Sequence, residues 1–372
     1  MRKKEGWKNF PFFLRDGMIR RLIATKQTVC VLFGGNSSEH EISCLSAANV
    51  LNQIDRDRFD VLTVGITKSG SWFLTEATTE EIKCGDWEGK RNKTCVLSVD
   101  PKHHGLLVFN KNGDVSVTYV DVVFPVLHGK NGEDGTVQGL FELAGIPYVG
   151  PGVLGSSLCM DKVMTKEVLS KAGIAVTEGF FVWQQYDETE VHNKIETTIG
   201  YPVVVKPSRA GSSVGVTFVT DQKALNKALQ AAAKEDEKIL IERAVDAREI
   251  ECAVLGTTQY PQASCLGEIV NDGMYDYDSK YINGTAGLVI PAELDEKTTE
   301  TIRALACRAF AATDCRGLAR VDFFVDKQSG AILLNEINTL PGFTNISMYP
   351  MLWQESGISY QNLITRLIDL AQ

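Results

Sequence analysis

Short apolar runs alternate along this chain with stretches in which apolar residues recur at helical spacing. The run 28–33 is apolar and ends at two glycines, and runs at 59–66 and 120–127 predict further strands. The helix after the glycine turn is predicted by apolar residues on one side: Ile42, Leu45, Ala48 and Leu51. With a helix at 136–144 and hairpins within 86–119, the pattern favours an open α/β domain built on a parallel sheet.

A second pattern begins after Gly150-Pro-Gly152, where glycine and proline indicate a domain boundary. Helices are predicted at 161–172 and along a face with Leu225, Leu229 and Ala232. Strands are predicted at 201–206, 215–219, 238–242, 317–325 and 331–338. A last helix is predicted by Ile302, Leu305, Ala306, Ala309, Phe310 and Thr313. The fold class is therefore α/β, with an α+β arrangement in the C-terminal part.

Composition sets broad limits on what the chain does. Its 372 residues are 44% hydrophobic and 23% charged, which is typical of a globular protein of two or three domains. The formal net charge of -9 argues against a nucleic-acid or anionic-membrane surface, so phosphate binding must rely on local donors. Nine cysteines without a Cys-x-x-Cys pair indicate reduced thiols in a cytoplasmic protein.

The first 26 residues differ from the rest of the chain. They carry eight lysines or arginines against Glu5 and Asp16, and charges interrupt every apolar group. No signal-peptide core is present. We interpret 1–26 as a flexible basic extension or an upstream start, with an amphipathic membrane- or partner-binding segment as the alternative.

Two predicted strands carry oxygen donors and a cation. Glu336 and Asn338 are two residues apart in an apolar run before a Pro-Gly loop, so both side chains point to one face. The strand 317–325 can place Asp322 beside them and Arg320 on the same face. Oxygen donors of this kind suit a hard divalent cation. Either this is a Mg-ATP site, or these are solvated residues at a sheet edge.

A small-residue loop follows a strand that ends in Lys206. The glycines of 206–215 let backbone N–H groups approach an anion, although the loop is not a Walker A motif. An ordinary hairpin is the alternative. The strand after it ends at Glu242, which supplies a polar edge for a nucleotide.

Two further turns carry candidate ligand groups. The strand-to-helix turn 34–43 would attract a carboxylate or phosphate through free N–H groups, while Glu39 could hold an ammonium group. Helix-start charge complementarity is the alternative for Glu39. The loop 128–136 follows a predicted buried strand, where α/β proteins place ligands, and His128 has an electrostatic or positional role there.

Six motifs in order resemble the D-alanine:D-alanine ligase family of the ATP-grasp superfamily, over nearly all of 27–372. They are Gly-Gly-Asn-Ser-Ser-Glu-His-Glu-Ile-Ser (34–43), Leu-His-Gly-Lys-Asn-Gly-Glu-Asp-Gly-Thr (127–136), Met-Asp-Lys (160–162), Val-Lys-Pro-Ser-Arg-Ala-Gly-Ser-Ser-Val-Gly (205–215), Tyr-Asp-Tyr-Asp-Ser-Lys-Tyr (275–281) and Asn-Glu-Ile-Asn-Thr-Leu-Pro-Gly-Phe-Thr (335–344). The resemblance implies a three-domain chain with ATP between the central and C-terminal domains. The N-terminal domain, 27–150, would bind substrate. The central ATP-grasp domain would be 151–241, and the C-terminal catalytic domain would be 242–372.

By matching positions, the resemblance also implies site residues. Those for ATP are Lys162, Lys206, Ser212, Ser213, Glu242, Arg243, Ala244, Val245, Glu249, Tyr275 and Lys280. Those for a pair of Mg²⁺ or Mn²⁺ ions are Asp322, Glu336 and Asn338. Those for catalysis are Glu39, Ser212, Tyr281, Arg320 and Gly342, and those for substrate are Glu39, His128, Tyr281, Arg320, Gly342, Ser347 and Met348.

The implied reaction joins two D-alanines through a D-alanyl phosphate for peptidoglycan synthesis, with small-molecule partners and a homodimer. Segment 271–284 would be the lid that keeps water from the acyl phosphate. Met348 gives an added hydroxyl no partner, so D-alanine is preferred to D-serine as second substrate. The alternatives are a nucleotide-binding regulatory module and an ATP-grasp ligase for another carboxylate and amine.

Overall fold

A computed structural model describes residues 26–89, 91–270 and 287–372. The expected lid, with Tyr275, Lys280 and Tyr281, lies outside the described residues, and so does almost all of the basic leader.

The first sheet has seven strands in the order β6-β5-β4-β3-β2-β1-β7. Its strands are β1 Gln27–Gly34, β2 Phe59–Ile66, β3 Trp72–Leu74, β4 Lys93–Leu97, β5 Gly105–Phe109, β6 Val115–Tyr119 and β7 Val122–Val126. β2, β1 and β7 run parallel, as predicted, whereas β3 to β6 form an antiparallel extension. Strands β4 to β6 lie in the segment predicted to form hairpins, and β3 was not predicted. Helices α1 His40–Gln53, α2 Thr79–Lys83 and α3 Thr136–Ala144 belong to this unit.

The second sheet has four antiparallel strands in the order β10-β9-β11-β8. Its strands are β8 Gly179–Trp183, β9 Val203–Pro207, β10 Thr217–Val219 and β11 Lys238–Arg243. The helices of this part are α4 Val153–Met160, α5 Lys162–Lys171, α6 Glu188–Thr198 and α7 Gln222–Glu235. Leu225, Leu229 and Ala232 of α7 are buried, as their spacing predicts. The side chain of Asp221 accepts from two backbone N–H groups at the start of α7 and fixes where it begins.

The third sheet is antiparallel, in the order β14-β13-β12-β15-β16. Its strands are β12 Ala247–Gly256, β13 Pro261–Val270, β14 Gly287–Val289, β15 Gly317–Asp326 and β16 Ile332–Asn338. The helices are α8 Glu296–Ala312, α9 Met348–Glu355 and α10 Tyr360–Leu370. These three sheets confirm the α/β prediction with its α+β C-terminal part.

One hydrophobic core crosses from the first sheet to the end of the chain. Val29, Val31 and Phe33 of β1 share a buried cluster with Tyr349 of α9 and Leu363 of α10. The opposite face of the first sheet has its own core, and so do the second and third sheets. The last two helices therefore fix the third sheet against the first.

The apolar side predicted for α1 is divided between the core and the cleft: Ala48 and Leu51 are buried. Ile42 is 37% exposed and Leu45 is only half-buried, and both line the central cleft described below. The helix also buries Cys44, Ala47 and Val50 against the first sheet. Its outer apolar residues thus face a ligand-sized space.

Within 26–89, 91–270 and 287–372, no helix has both the length and the apolar character that a membrane crossing requires.

Candidate active site

A cleft of about 640 Å³ lies where the three sheets meet. This volume falls in the usual range for small-molecule sites. Its walls include Glu39, which lies between β1 of the first sheet and α1, Lys206 of the second sheet, and Arg320, Asp322 and Glu336 of the third. Glu249, Gly342, Ser347 and Met348 also line it. Motifs far apart in the sequence are thus brought to one space.

The predicted oxygen donors meet on neighbouring strands. In the β15–β16 register, Asp322 stands opposite Glu336 and Arg320 stands opposite Asn338. The Nδ2 atom of Asn338 donates to Oδ2 of Asp322 over 2.9 Å. Among the described residues, no group of three or more His, Cys, Asp or Glu side chains has metal-binding geometry. The set here is two carboxylates and an amide, whose oxygens fit a hard cation such as Mg²⁺.

Cationic side chains already contact both carboxylates. The Nζ atom of Lys162 lies 3.5 Å from Oε2 of Glu336. The guanidinium of Arg320 binds Asp322 twice, from Nε over 2.8 Å and from Nη2 over 2.7 Å. Two cationic side chains therefore already stand beside the carboxylates that would hold a metal ion.

Arg320 has a second carboxylate neighbour that sequence reasoning missed. The Nε atom of Arg320 lies 3.0 Å from Oε2 of Glu251, whose residue is 5% exposed. Glu251 stands opposite Asp322 in the β12–β15 register. The available signal was a Glu between Ile250 and the apolar run 252–255, because a buried charge needs a partner.

The lysine that ends β9 belongs to a buried ionic cluster. One oxygen of Glu242 contacts Lys206 over 2.5 Å and the other contacts Lys166 over 2.6 Å. Burial alone would raise the pKa of Glu242, but the two ammonium groups hold it below its ordinary value. Burial lowers the pKa of Lys166. The sequence analysis assigned Glu242 to adenine binding and did not identify Lys166. In the structure, the side chain of Glu242 contacts both Lys166 and Lys206.

The loop after β9 is tied to the start of α5. Asp161 accepts from Ser208 over 2.7 Å, contacts Lys238 over 2.5 Å and caps the helix at Met164. The Nζ atom of Lys162 donates to the carbonyl of Ala210 over 2.7 Å. These contacts hold a lysine and a glycine-rich loop side by side, as phosphate binding requires.

The tip of that loop reaches Glu39. Ser212 and Ser213 have φ values of 50° and 56°, and the hydroxyl of Ser212 donates to Oε1 of Glu39. A Cβ at Gly211 would lie 3.1 Å from Oε2 of Glu39, and one at Gly129 only 2.5 Å from it. Two glycines thus leave room for this carboxylate. Glu39 and Ser212, two of the predicted catalytic residues, are thus in direct contact, while Tyr281 lies outside the described residues.

His128 precedes Gly129 in the loop that approaches Glu39, and it makes a structural contact. It is buried, its Nδ1 lies 2.9 Å from the carbonyl oxygen of Leu340, and burial lowers its pKa. Glu133, which was not predicted, accepts from the amides of Gly129 over 2.8 Å and Leu340 over 3.0 Å. Burial of the carboxyl group, and then the charge of Glu39, raise the pKa of Glu133 to about 8.

The pKa of Glu133 predicts a dependence of stability on pH. The folded chain keeps this proton up to about pH 8, whereas the ordinary value of 4.5 applies when unfolded. Since the folded state binds more protons in this window, the free energy of unfolding should fall as pH rises, by at most about 1.4 kcal/mol per pH unit. Denaturation of wild type and Glu133→Gln at several pH values measures this contribution. Parallel curves for the two proteins would contradict it.

The remaining predicted residues follow β16. The amide of Thr344 donates to Oγ of Ser347 over 2.9 Å, and a Cβ at Gly342 would meet that oxygen at 2.8 Å. Met348 is 5% exposed and packs against Gly267 of β13. The adenine candidates Arg243, Ala244 and Val245 follow Glu242, and Arg243 contacts Glu178 at the surface over 3.2 Å.

The comparisons with known proteins agree with this geometry. Residues 28–151 match the family model described as the D-ala D-ala ligase N-terminus, and 168–369 match the D-ala D-ala ligase C-terminus. The chain is 50% identical to a D-alanine–D-alanine ligase of Acetivibrio thermocellus, covering 93% of this chain and 96% of that one. It is 47% identical to the enzyme of the same name from Clostridium acetobutylicum, covering 93% and 98%.

Solved structures give the same result. The VanG D-Ala:D-Ser ligase from Enterococcus faecalis is similar with a TM-score of 0.85 at 38% identity, covering 93% of this chain and 100% of that one. The D-alanine-D-alanine ligase from Coxiella burnetii is similar with a TM-score of 0.79 at 34% identity, covering 94% of each.

The fold and the cleft define an ATP-grasp ligase. Matches to both family models and identities near one half over most of the chain give the narrower result. The chain belongs to the D-alanine–D-alanine ligase family.

Proposed function

We propose that this enzyme joins two molecules of D-alanine to D-alanyl-D-alanine for peptidoglycan synthesis, with conversion of ATP to ADP and phosphate. The observation that supports it most is the convergence on one cleft of Glu39, Arg320 and the acidic pair Asp322 and Glu336. A carboxylate is a poor electrophile, so its activation as an acyl phosphate explains why phosphate-binding and ammonium-binding groups share one space.

Each group then has a task. Glu39 holds the ammonium of the first D-alanine, and Lys162 and Lys206 bind the phosphates of ATP. Asp322, Glu336 and Asn338 would hold Mg²⁺ or Mn²⁺, which when bound neutralises phosphate charge during transfer. Arg320 and the amide of Gly342 stabilise the oxyanion formed when the second amine attacks the acyl phosphate. Ser212 keeps the loop closed on Glu39.

Different residues along the cleft would contact the phosphates, the ribose and the adenine of ATP. We propose that Ser212 and Ser213 present backbone N–H groups to phosphate, Glu249 binds the ribose, and the segment from Glu242 to Val245 borders the adenine. The position of Glu249 on the cleft wall supports the ribose assignment. Tyr275 and Lys280, outside the described residues, are proposed as further ATP contacts on the strength of the motif alone.

Release of ADP that depends on D-alanine tests the proposal against a regulatory nucleotide-binding module. The full chain is incubated with ATP and Mg²⁺, with and without D-alanine, and ADP and dipeptide are quantified together. Equal amounts of the two products support ligation. Nucleotide binding without D-alanine-dependent ADP would instead support the regulatory module, and release with other carboxylate–amine pairs alone would support a different ligase.

The second substrate has a rival candidate in D-serine, because a D-Ala:D-Ser ligase is among the similar structures. The apolar side chain of Met348 on the cleft wall favours D-alanine, since it leaves a serine hydroxyl without a partner. Ser347 would contact the carboxylate of this substrate. Competition between D-alanine and D-serine at neutral pH decides the question, and a surplus of D-Ala-D-Ser would reject our assignment.

A glycine beneath Met348 offers a sharper test of this pocket. A Cβ at Gly267 would lie 2.5 Å from Sδ of Met348, so Gly267→Ala must displace that side chain. We expect the KM for the second D-alanine to rise about tenfold, which is the usual cost of a pocket that misfits its substrate by one methyl group. The affinity for ADP should stay unchanged. Steady-state kinetics at saturating ATP measures this. An unchanged KM would place Met348 outside the pocket.

The assembly and its units are also proposals. We propose units 27–150, 151–241 and 242–372, and a homodimer in the cytoplasm. An exposed apolar face on the first sheet supports self-association there: Val96, Phe109, Val115 and Val117 are each more than 40% exposed. The nine free cysteines agree with a reducing compartment. Light scattering of wild type and Val117→Asp measures the assembly.

A further inference from the structure

The turn that carries Gly342 is held at four backbone atoms. Glu133 accepts from the amide of Leu340 over 3.0 Å, and Nδ1 of His128 lies 2.9 Å from the carbonyl of Leu340. The amide of Phe343 donates to Oγ of Ser46 over 3.2 Å, and Tyr360 donates its hydroxyl proton to the carbonyl of Phe343. These contacts lie on both sides of Gly342 in the sequence.

Three of these four partners come from the first unit. Ser46 is in α1, and His128 and Glu133 are in the loop between β7 and α3. Ser46 and His128 also contact each other, with 3.3 Å between Oγ and Nε2. These three partners are 207 to 297 residues away from the turn, so their contacts require the complete fold.

The environment of this network makes it stiff. Ser46, His128, Leu340 and Phe343 are each at most 6% exposed. A buried backbone amide or carbonyl that loses its partner costs about 1–3 kcal/mol, so the turn has little freedom to shift while the network is intact. The loop 128–133 also approaches Glu39 through Gly129. One loop thus contacts both the first-substrate group and the turn with Gly342.

We propose that Ser46, His128 and Glu133 together form a positioning network that sets the amide of Gly342 for the oxyanion. This inference rests on the proposed ligase function. None of the three needs to contact the reacting atoms for this role. A shift of the turn by about 1 Å would cost roughly 100-fold in rate, because the oxyanion donors act only at the correct distance.

Two near-isosteric substitutions test the network. Ser46→Ala removes the hydroxyl that accepts from the backbone N–H of Phe343. Glu133→Gln replaces one carboxylate oxygen with an NH₂ group, which cannot accept, so the backbone N–H of either Gly129 or Leu340 loses its partner. Each should lower kcat about 10- to 100-fold and change the KM for D-alanine and the affinity for ADP less than threefold. The matched controls are Ser264→Ala and Asp121→Asn. Ser264 and Asp121 also accept from backbone amides, over 3.1 Å and 2.8 Å, but outside this network.

A second readout separates positioning from general stability. A phosphinate dipeptide, phosphorylated by ATP in the site, imitates the tetrahedral intermediate, and its affinity should fall in parallel with kcat in both variants. ADP affinity, measured by calorimetry, should not follow. If phosphinate and ADP affinities fall together, or if kcat equals that of the controls, the positioning role is wrong.

Wild-type protein in the same assay identifies which proposal has failed. Wild type that forms no D-alanine-dependent ADP rejects the ligase function, and the network proposal with it. Normal wild-type turnover with unaffected Ser46→Ala and Glu133→Gln variants rejects the network alone.

Discussion

Arg320→Lys should lower kcat by about 100- to 1,000-fold, the usual cost of losing one oxyanion donor. Arg320 lies between Asp322 and Glu251 and presents a planar group with fixed N–H directions to the cleft. A lysine keeps the positive charge but not the two-point geometry, so the acidic neighbours stay compensated while the donor is misplaced. ADP affinity should remain within a few-fold of wild type. Single-turnover rates of dipeptide formation, with calorimetry for ADP, measure both effects.

The control for this substitution is Arg248→Lys. Arg248 binds Glu268 through two hydrogen bonds of 2.7 Å and 2.6 Å on the same sheet, so it undergoes the same chemical change without facing the reaction. Near-normal turnover of the control and a large loss at Arg320 would support the oxyanion role. Equal losses would reduce Arg320 to a structural ion-pair partner.

Glu242→Gln should lower the free energy of unfolding by about 3–5 kcal/mol, because it leaves two buried ammonium groups without their shared carboxylate. The side chains of Glu242, Lys166 and Lys206 are 3%, 8% and 9% exposed, so water does not replace the lost partner. Because the pKa of Glu242 is below its ordinary value of 4.5, its contribution is present above that pH and is lost in acid. Denaturant titration at neutral pH measures the effect.

A double substitution isolates the cause. Lys166→Met removes one of the stranded charges, so the Glu242→Gln and Lys166→Met changes should be far less than additive in the free energy of unfolding. Glu268→Gln, which breaks a more exposed pair, should cost only about 1 kcal/mol. Additive effects at 166 and 242 would show that Glu242 acts through something other than this cluster.

Several strands and the common face of the proposed metal ligands were accessible from the sequence. The i, i+2 spacing of Glu336 and Asn338 gave their common face, and β16 ends at Asn338 as expected. Glycine-rich turns identified the loops that reach Glu39. These features depend on local periodicity and turn chemistry, which a single sequence records directly.

Features that depend on distant partners were missed. Glu133 and Lys166 have no local signature, because their roles come from Leu340 and Glu242, which lie far along the chain. Ile42 fitted a helical stripe yet faces the cleft, because spacing does not say whether core or ligand space covers an apolar face. Helices α2, α4, α6, α9 and α10 and strands β3, β8, β12, β13 and β14 were also not predicted.

The shared core of β1 with α9 and α10 has a consequence for how the protein is made. During translation, the first sheet leaves the ribosome long before the helices that cover Val29 and Phe33. Until α10 emerges, that face is an exposed hydrophobic surface, which is the kind of surface that chaperones bind. The N-terminal half is therefore synthesised first, but it can finish folding only after translation has ended.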